Sequence, residues 1–343
     1  MDKAGQTFRG GPDVPDRDVE FGLGACVDLG HAAEYRTAYA RVMTRFRPGT
    51  AIDSRICFDI FERTIDDLGR RTGGSANSTA DDPAAWDTRR PLFDHLAATG
   101  DAWWIAEDEV TGNAIGYARS ILRDGVRELT EFFVLPETQS GGVGGELLAR
   151  AFSAEGARHR AIVATLDPRA IARYLRTGLD ARVAIIGLQG VPRPVTVATD
   201  LEREPIDPEA PPLDELAEID RAILDFRRDP DHAWLAGQRS GWLYRRGGRA
   251  VGYGYHPSRP AWGGPYAALD STDLPVLLAD GESAAAAAGH DEVTFDLPLT
   301  ARPGLDHLLG RGFHVDPFVM LFFTDGPTDG LVGYCLTSPP FFA

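Results

Sequence analysis

An α+β fold is predicted by three features of this sequence. Short apolar runs are joined by hairpin turns, amphipathic helical stretches surround them, and the second half repeats the first. The chain has 343 residues, 43% of them hydrophobic. That is enough for one large domain or two of ordinary size. Residues 1–25 read as a flexible leader, polar and rich in Gly, Pro and Asp up to Pro15. An amphipathic helix is predicted from His31 to Phe46, with Ala33, Tyr35, Ala38, Tyr39, Val42 and Met43 as its apolar stripe, and a second over Ile52–Leu68. Residues 70–90 are polar and rich in Gly, Ser and Asp, and read as a mobile loop.

Strand signals follow. Trp103–Glu107, Asn113–Leu122 and Val126–Leu135 are apolar runs separated by Val110-Thr111-Gly112-Asn113 and by Arg123-Asp124-Gly125. Turns of this kind predict an antiparallel meander. A helix is predicted from Gly142 to about Ala157, with Val143, Leu147, Leu148, Ala151 and Phe152 on one face. A strand at Arg160–Leu166 precedes Asp167, an N-cap with Pro168 at the first helical position, and Gly178 closes that helix. A strand at Arg182–Leu188 ends the first half, 26–190. Residues 191–212 read as a linker with one strand at Val195–Leu201, and 213–343 as the second half.

The repeat rests on two matches. Ile115-Gly116-Tyr117-Ala118 recurs as Val251-Gly252-Tyr253-Gly254, and Leu175-Arg176-Thr177-Gly178-Leu179 as Leu309-Gly310-Arg311-Gly312-Phe313. Near-equal offsets imply a tandem duplication.

Composition excludes several classes. The net charge is −16, from 51 acidic against 35 basic residues. Such a surface repels phosphate backbones, so no nucleic-acid partner is expected. No run of about 18 apolar residues exists to cross a membrane. No signal-peptide core is present either, so the expected location is cytoplasmic. Cys26, Cys57 and Cys335 are too few and too scattered for a disulfide framework, and the histidines lack metal-ligand spacing.

The informative segment runs from Leu129 to Leu148, Leu-Thr-Glu-Phe-Phe-Val-Leu-Pro-Glu-Thr-Gln-Ser-Gly-Gly-Val-Gly-Gly-Glu-Leu-Leu. A strand gives way to a short turn and then a glycine-rich helix start. The first N–H groups of a helix have no intrahelical partner, and the helix dipole makes that end electropositive. Together they can cradle a diphosphate, without basic side chains. A dinucleotide fold fits poorly, because the preceding strands are antiparallel.

Gln139-x-x-Gly142-x-Gly144 in this context resembles the Q/R-x-x-G-x-G/A signature of the GNAT superfamily of N-acetyltransferases, over roughly residues 101–188. The resemblance implies tandem GNAT folds, each a mixed, mostly antiparallel sheet flanked by helices. It implies acetyl-CoA, or another acyl-CoA, as co-substrate, with no metal. The backbone of Phe133, Val134 and Leu135 would hold the pantetheine arm as an added strand. The N–H groups of Ser140, Gly141, Gly142, Val143, Gly144 and Gly145 would hold the pyrophosphate.

Two side chains are candidates for the chemistry. Glu131 lies on the strand where many GNAT enzymes carry a glutamate base. Strand alternation places Leu129, Glu131 and Phe133 on one face, and apolar neighbours would raise its pKa. The alternative is a solvent-facing or salt-bridged glutamate. Tyr174, in Ala170-Ile-Ala-Arg-Tyr-Leu-Arg-Thr-Gly178, resembles the family's A-x-x-x-Y-x-x-x-G helix, whose tyrosine can protonate the coenzyme A sulfur. The alternative is a packed aromatic. Asp167 stands near the place of the family's usual asparagine. Trp103, Trp104, Tyr117 and Arg119 are further candidates for an acceptor pocket.

In the second half, Tyr266 falls opposite Glu131 and Leu308 opposite Tyr174. Leu274–Leu278 replace the glycine loop. This copy therefore reads as structural, either covering the acceptor side, where Gly252, Tyr255, His256 and Trp262 could reach it, or supplying a homodimer face. The expected activity is transfer of an acetyl group to the amine of a small molecule. The alternatives are a GNAT-like acyl-CoA-binding regulatory protein without transfer, or an enzyme for a longer acyl-CoA.

Overall fold

The computed structural model describes residues 43–72, 83–139, 142–257 and 263–337. In the first half, β1 (Thr44–Pro48) leads to α1 (Ser54–Thr72) and α2 (Pro83–Thr99). The meander β2 (Gly100–Asp108), β3 (Ala114–Arg123) and β4 (Val126–Val134) follows. Then come α3 (Val143–Ala151), β5 (His159–Thr165), α4 (Pro168–Arg176) and β6 (Asp180–Gly190). The second half has β7 (Glu202–Pro205), α5 (Leu213–Leu224), α6 (Asp229–Gln238), β8 (Gly241–Arg246), β9 (Arg249–Tyr255) and β10 (Tyr266–Ala268). It closes with α7 (Leu274–Ala287), β11 (Val293–Pro298), α8 (Arg302–Gly310), β12 (His314–Thr324) and the two-residue β13 (Tyr334–Cys335). The fold is α+β, with mostly antiparallel sheets and flanking helices.

Most of the hairpin and helix expectations hold within a few residues. The helix expected from Gly142 to about Ala157 ends at Ala151, and three other segments differ in kind. The described end of the expected helix His31–Phe46 is strand β1, paired antiparallel with β2 from Thr44↔Asp108 to Pro48↔Trp104. Alternation decides it: Arg45 and Arg47 both reach Glu107, at 2.5 and 2.6 Å. The rest of that helix and most of the leader lie outside the described residues. The expected loop 70–90 is helical at both ends, because Trp86 of α2 packs its ring 5.4 Å from Phe58 and 5.9 Å from Phe93. Its middle, 73–82, lies outside the described residues. Val195–Leu201 forms no strand. Val195 N–H donates instead to Ser283 Oγ of α7 at 3.0 Å, and β7 begins only at Glu202.

Eight strands form the large sheet in the order β1-β2-β3-β4-β5-β12-β6-β11, and β13-β10-β9-β8-β7 form a second. Strands from both sides of residues 191–212 share the large sheet. β12 lies between β5 and β6, and β6 lies between β12 and β11, all antiparallel.

Among the described residues the one parallel pair, β4 with β5, spans only Val126↔His159 to Glu128↔Ala161. Beyond it the strands part. Helices α1 and α2 pack on one face of the sheet with Ile105, Tyr117 and Ile121, in a cluster that continues to α5 and α6. Helices α3 and α4 pack on the other, with Ala106, Ala118, Leu129 and Val134.

Candidate active site

The parting of β4 and β5 leaves a cavity of ≈ 190 Å³. Phe132 and Val134 line it from β4, Gln139 and Gly144 from the turn and α3, and Asp167, Ala170 and Arg173 from α4. Leu135 N–H donates to Ile115 O on β3 at 2.9 Å. Alternation then turns the backbone groups of Phe133 and Leu135 toward β3, and those of Phe132 and Val134 toward the cleft. Of the three residues expected to hold a pantetheine arm, only Val134 therefore offers its backbone edge. Its carbonyl already accepts from Gln139 Nε2 at 2.9 Å, which ties the turn to the end of β4.

The glycine-rich helix start is built as its sequence implies. Gly142 is the N-cap of α3 with φ 90 and ψ −12, a left-handed conformation that a side chain would strain. A Cβ on Gly142 or Gly145 would meet nothing within 4 Å. A Cβ on Gly144 would lie 3.2 Å from the Phe132 ring and 3.3 Å from Arg173 Nε, so it would fill the cradle. Gly142 O accepts from Gly145 and Glu146, which leaves the Val143 and Gly144 amides at the open end of the helix. Ser140 and Gly141 lie outside the described residues.

Helix α4 forms the opposite wall. Asp167 caps it by accepting from Arg169 N at 2.9 Å. Both carboxylate oxygens are occupied, by the Arg169 side chain and by Arg71 Nη2 at 3.1 Å. Partial burial opposes ionisation, but these hydrogen bonds bring the carboxyl down to about 2. Tyr174 is 5% exposed. Its ring stands 6.1 Å from Phe132 and 5.6 Å from Phe323 of β12. Burial, with the Asp167 charge adding to it, pushes the Tyr174 hydroxyl well above its usual value, so it stays protonated.

Glu131 is not where alternation places it. A bulge in β4 pairs Arg119 with Glu131 but Ser120 with Leu129. Leu129 therefore packs with α3, while Glu131 and Phe133 face α1 and α2. The carboxylate does not lie among apolar neighbours. It is ion-paired with Arg119 and accepts from Tyr117 Oη at 2.9 Å. Arg119 and Tyr117 are 0% exposed and Glu131 is 1% exposed. Arg119 also stacks over Trp103, 4.5 Å from its centroid. Glu131, Tyr117, Arg119, Trp103 and Trp104 are thus absent from the cleft lining.

What the sequence reasoning missed is the cationic wall. Arg169 and Arg173 line the cleft one helical turn apart. That i, i+4 spacing beside Tyr174 was readable in the sequence.

In the second half, α7 starts at Leu274 with Pro275 in its first turn and no glycine-rich turn before it. Tyr266 packs against Gly281, two turns into that helix. Gly252, Tyr255 and His256 are buried within this half, Tyr255 against His232 at 2.9 Å, and do not reach the cleft. Trp262 lies outside the described residues. Among the described residues, no group of three or more His, Cys, Asp or Glu is arranged to hold a metal, and no helix is long and apolar enough to cross a membrane.

Residues 99–178 match the family model of the acetyltransferase (GNAT) domain. That span holds the meander, the glycine-rich helix start and the helix of Tyr174. Among solved structures, the chain is similar to a candidate acetyltransferase from Pyrococcus horikoshii, with TM-score 0.63, 13% identity, and coverage of 87% of this chain and 95% of that one. It is also similar to a GCN5-related N-acetyltransferase from Sphaerobacter thermophilus, with TM-score 0.55, 16% identity, and coverage of 84% and 96%. At these identities the likeness is one of fold, and it extends over both halves. No curated protein matches the sequence.

Proposed function

We propose that this chain, which carries a GNAT acetyltransferase domain at residues 99–178, moves an acetyl group from acetyl-CoA to the amine of a small molecule. The observation that carries this reading is the parting of β4 and β5 over a cleft floored by a glycine-built helix start. The residues fit the donor. An arm can lie along the open edge of Phe132 and Val134, and a diphosphate can sit where a Cβ on Gly144 would intrude.

Acetyl-CoA supplies an activated thioester: a neutral amine attacks its carbonyl, the nitrogen sheds its proton to solvent, the C–S bond breaks as the amide forms, and the departing thiolate needs a proton. Tyr174 supplies that proton. Its hydroxyl is held neutral by burial, and its ring packs between Phe323 and Phe132, so that Tyr174 stands one layer behind the cleft lining, with Phe132 in front of it. The acidic surface, net −16, draws ammonium-bearing acceptors toward the protein. Glu131 acts here as the buried partner of Arg119 rather than as the base, because α1 and α2 cover it.

That enclosure favours a second reading, a GNAT-like protein that binds acyl-CoA without transfer. The only carboxylate lining the cleft is Asp167, among the described residues, and a group held near 2 is a poor base. Thiol release from acetyl-CoA over a panel of amines separates the two. The transferase reading expects amine-dependent release. Binding of acetyl-CoA with no release for any amine class would contradict it and support the second.

A further inference from the structure

The cleft holds a cation that, among the described residues, has no carboxylate partner. Arg169 gives Nε and Nη2 to Asp167, at 3.2 and 2.9 Å. On α1, Arg71 pairs with Asp67 at 2.8 Å and Arg63 with Glu137 at 2.6 Å. Arg173 stands among these ion pairs and makes none with the described residues. Its Nη1 donates to the Arg169 carbonyl at 3.2 Å, and among the described residues no carboxylate lies within ion-pair distance of it. In a chain with 51 acidic residues against 35 basic, such an arginine in a cleft wall is not there for want of partners.

Its position points to a ligand. Nε and Cζ lie 3.3 and 3.6 Å from where a Cβ of Gly144 would sit. The guanidinium edge therefore flanks the open amides of Val143 and Gly144 at the start of α3. A planar fork beside a helix N-terminus makes a two-sided receptor for adjacent phosphoryl groups, which present oxygens to both sides at once. The missing Cβ of Gly144 keeps the gap between the two sides open.

Resting on the reading of this cleft as an acyl-CoA site, we infer that Arg173 binds the diphosphate of the donor, clamping it against the start of α3. It thereby makes the protein select donors that carry the nucleotide over donors that present the acylated arm alone. The clamp is a positioning contact and takes no part in the proton transfer.

Calorimetric titration tests this without requiring turnover. Wild type, Arg173→Gln and Arg173→Lys are each titrated with CoA, dephospho-CoA and pantetheine, at low and high salt. The expected result is that Arg173→Gln weakens CoA and dephospho-CoA alike, by about tenfold or more, and leaves pantetheine unchanged. Arg173→Lys, which keeps the charge but loses the fork, falls between them. The salt dependence of CoA binding is shallower in Arg173→Gln. Equal affinity of Arg173→Gln and wild type for CoA overturns the inference. So does a loss for CoA but not dephospho-CoA, which would place Arg173 on the ribose phosphate. A wild type that binds none of the three defeats the acyl-CoA reading itself, a result distinct from either. Arg173 is only half-buried, and the melting temperature of each variant shows that the fold is retained.

Discussion

Two buried side chains on the first-half sheet and its helices carry opposite expectations. Tyr174 has a neutral hydroxyl and no structural ion pair, so Tyr174→Phe should lower kcat roughly a hundredfold or more while leaving the KM for acetyl-CoA nearly unchanged. Steady-state kinetics with any accepted amine checks this. Glu131 is the reverse case. Glu131→Gln leaves Arg119 buried without its counter-charge, and should cost about 3 kcal/mol or more of stability. Denaturant unfolding reads that loss, and an unchanged midpoint would show that the pair is dispensable. A third residue sets an acid limit. His256 is 2% exposed, and among the described residues neither ring nitrogen has a partner. Burial pushes it down to about 4, against 6.5 ordinarily, with Asp280 and Arg203 acting in opposite senses. A histidine depressed in the fold contributes stability that is fully present above pH 6.5 and is lost as pH falls toward 4. Unfolding between pH 7 and 4 should show this loss, and His256→Phe should flatten the profile. Glu131's environment was not legible in the sequence. One extra residue at the Leu129–Glu131 bulge reverses a face assignment, and only the pairing with β3 reveals the bulge.

At the level of elements, the local signals were the legible ones. The Asp-Gly turn between β3 and β4, the Pro168 helix start and the Gly142 cap each depend on a few adjacent residues, and each appears in place. Elements decided by distant partners were not legible. β1 is a strand because β2 offers it an edge, and the start of α2 is helical because Trp86 finds Phe58 and Phe93. The cleft itself is a property of elements, since it exists only because β4 and β5 stop pairing at Glu128 and Ala161. The α3 start should then be sensitive to side chains at Gly142. Gly142→Glu places a side chain and a negative charge in the left-handed N-cap of α3. Stabilisation of the protein to heat by acetyl-CoA should vanish in this variant, although the ligand-free melting temperature falls by only a few degrees. Retained stabilisation would remove the helix start from the binding site.

Across the whole molecule, the interleaving of β5, β12, β6 and β11 binds the two halves into one folding unit. The motif repeats gave no sign of this exchange, because pairing across more than a hundred residues leaves no local pattern in the sequence. Both strand neighbours of β6 come from the second half. A chain cut at residue 212 should therefore show no cooperative melting on its own, and should recover it when co-expressed with residues 213–343. A cooperative transition in the isolated first half would contradict this. The second half thus completes the sheet of the first, and its helix α7 starts without a glycine-rich turn. The central claim is that this pair of halves makes one acyl-CoA site, in the first half. Calorimetric titration of the full chain with acetyl-CoA tests it most directly. The account predicts saturable binding at one site per chain, abolished by Gly142→Glu. No binding of acetyl-CoA or of longer acyl-CoAs, or two equivalent sites per chain, would contradict it.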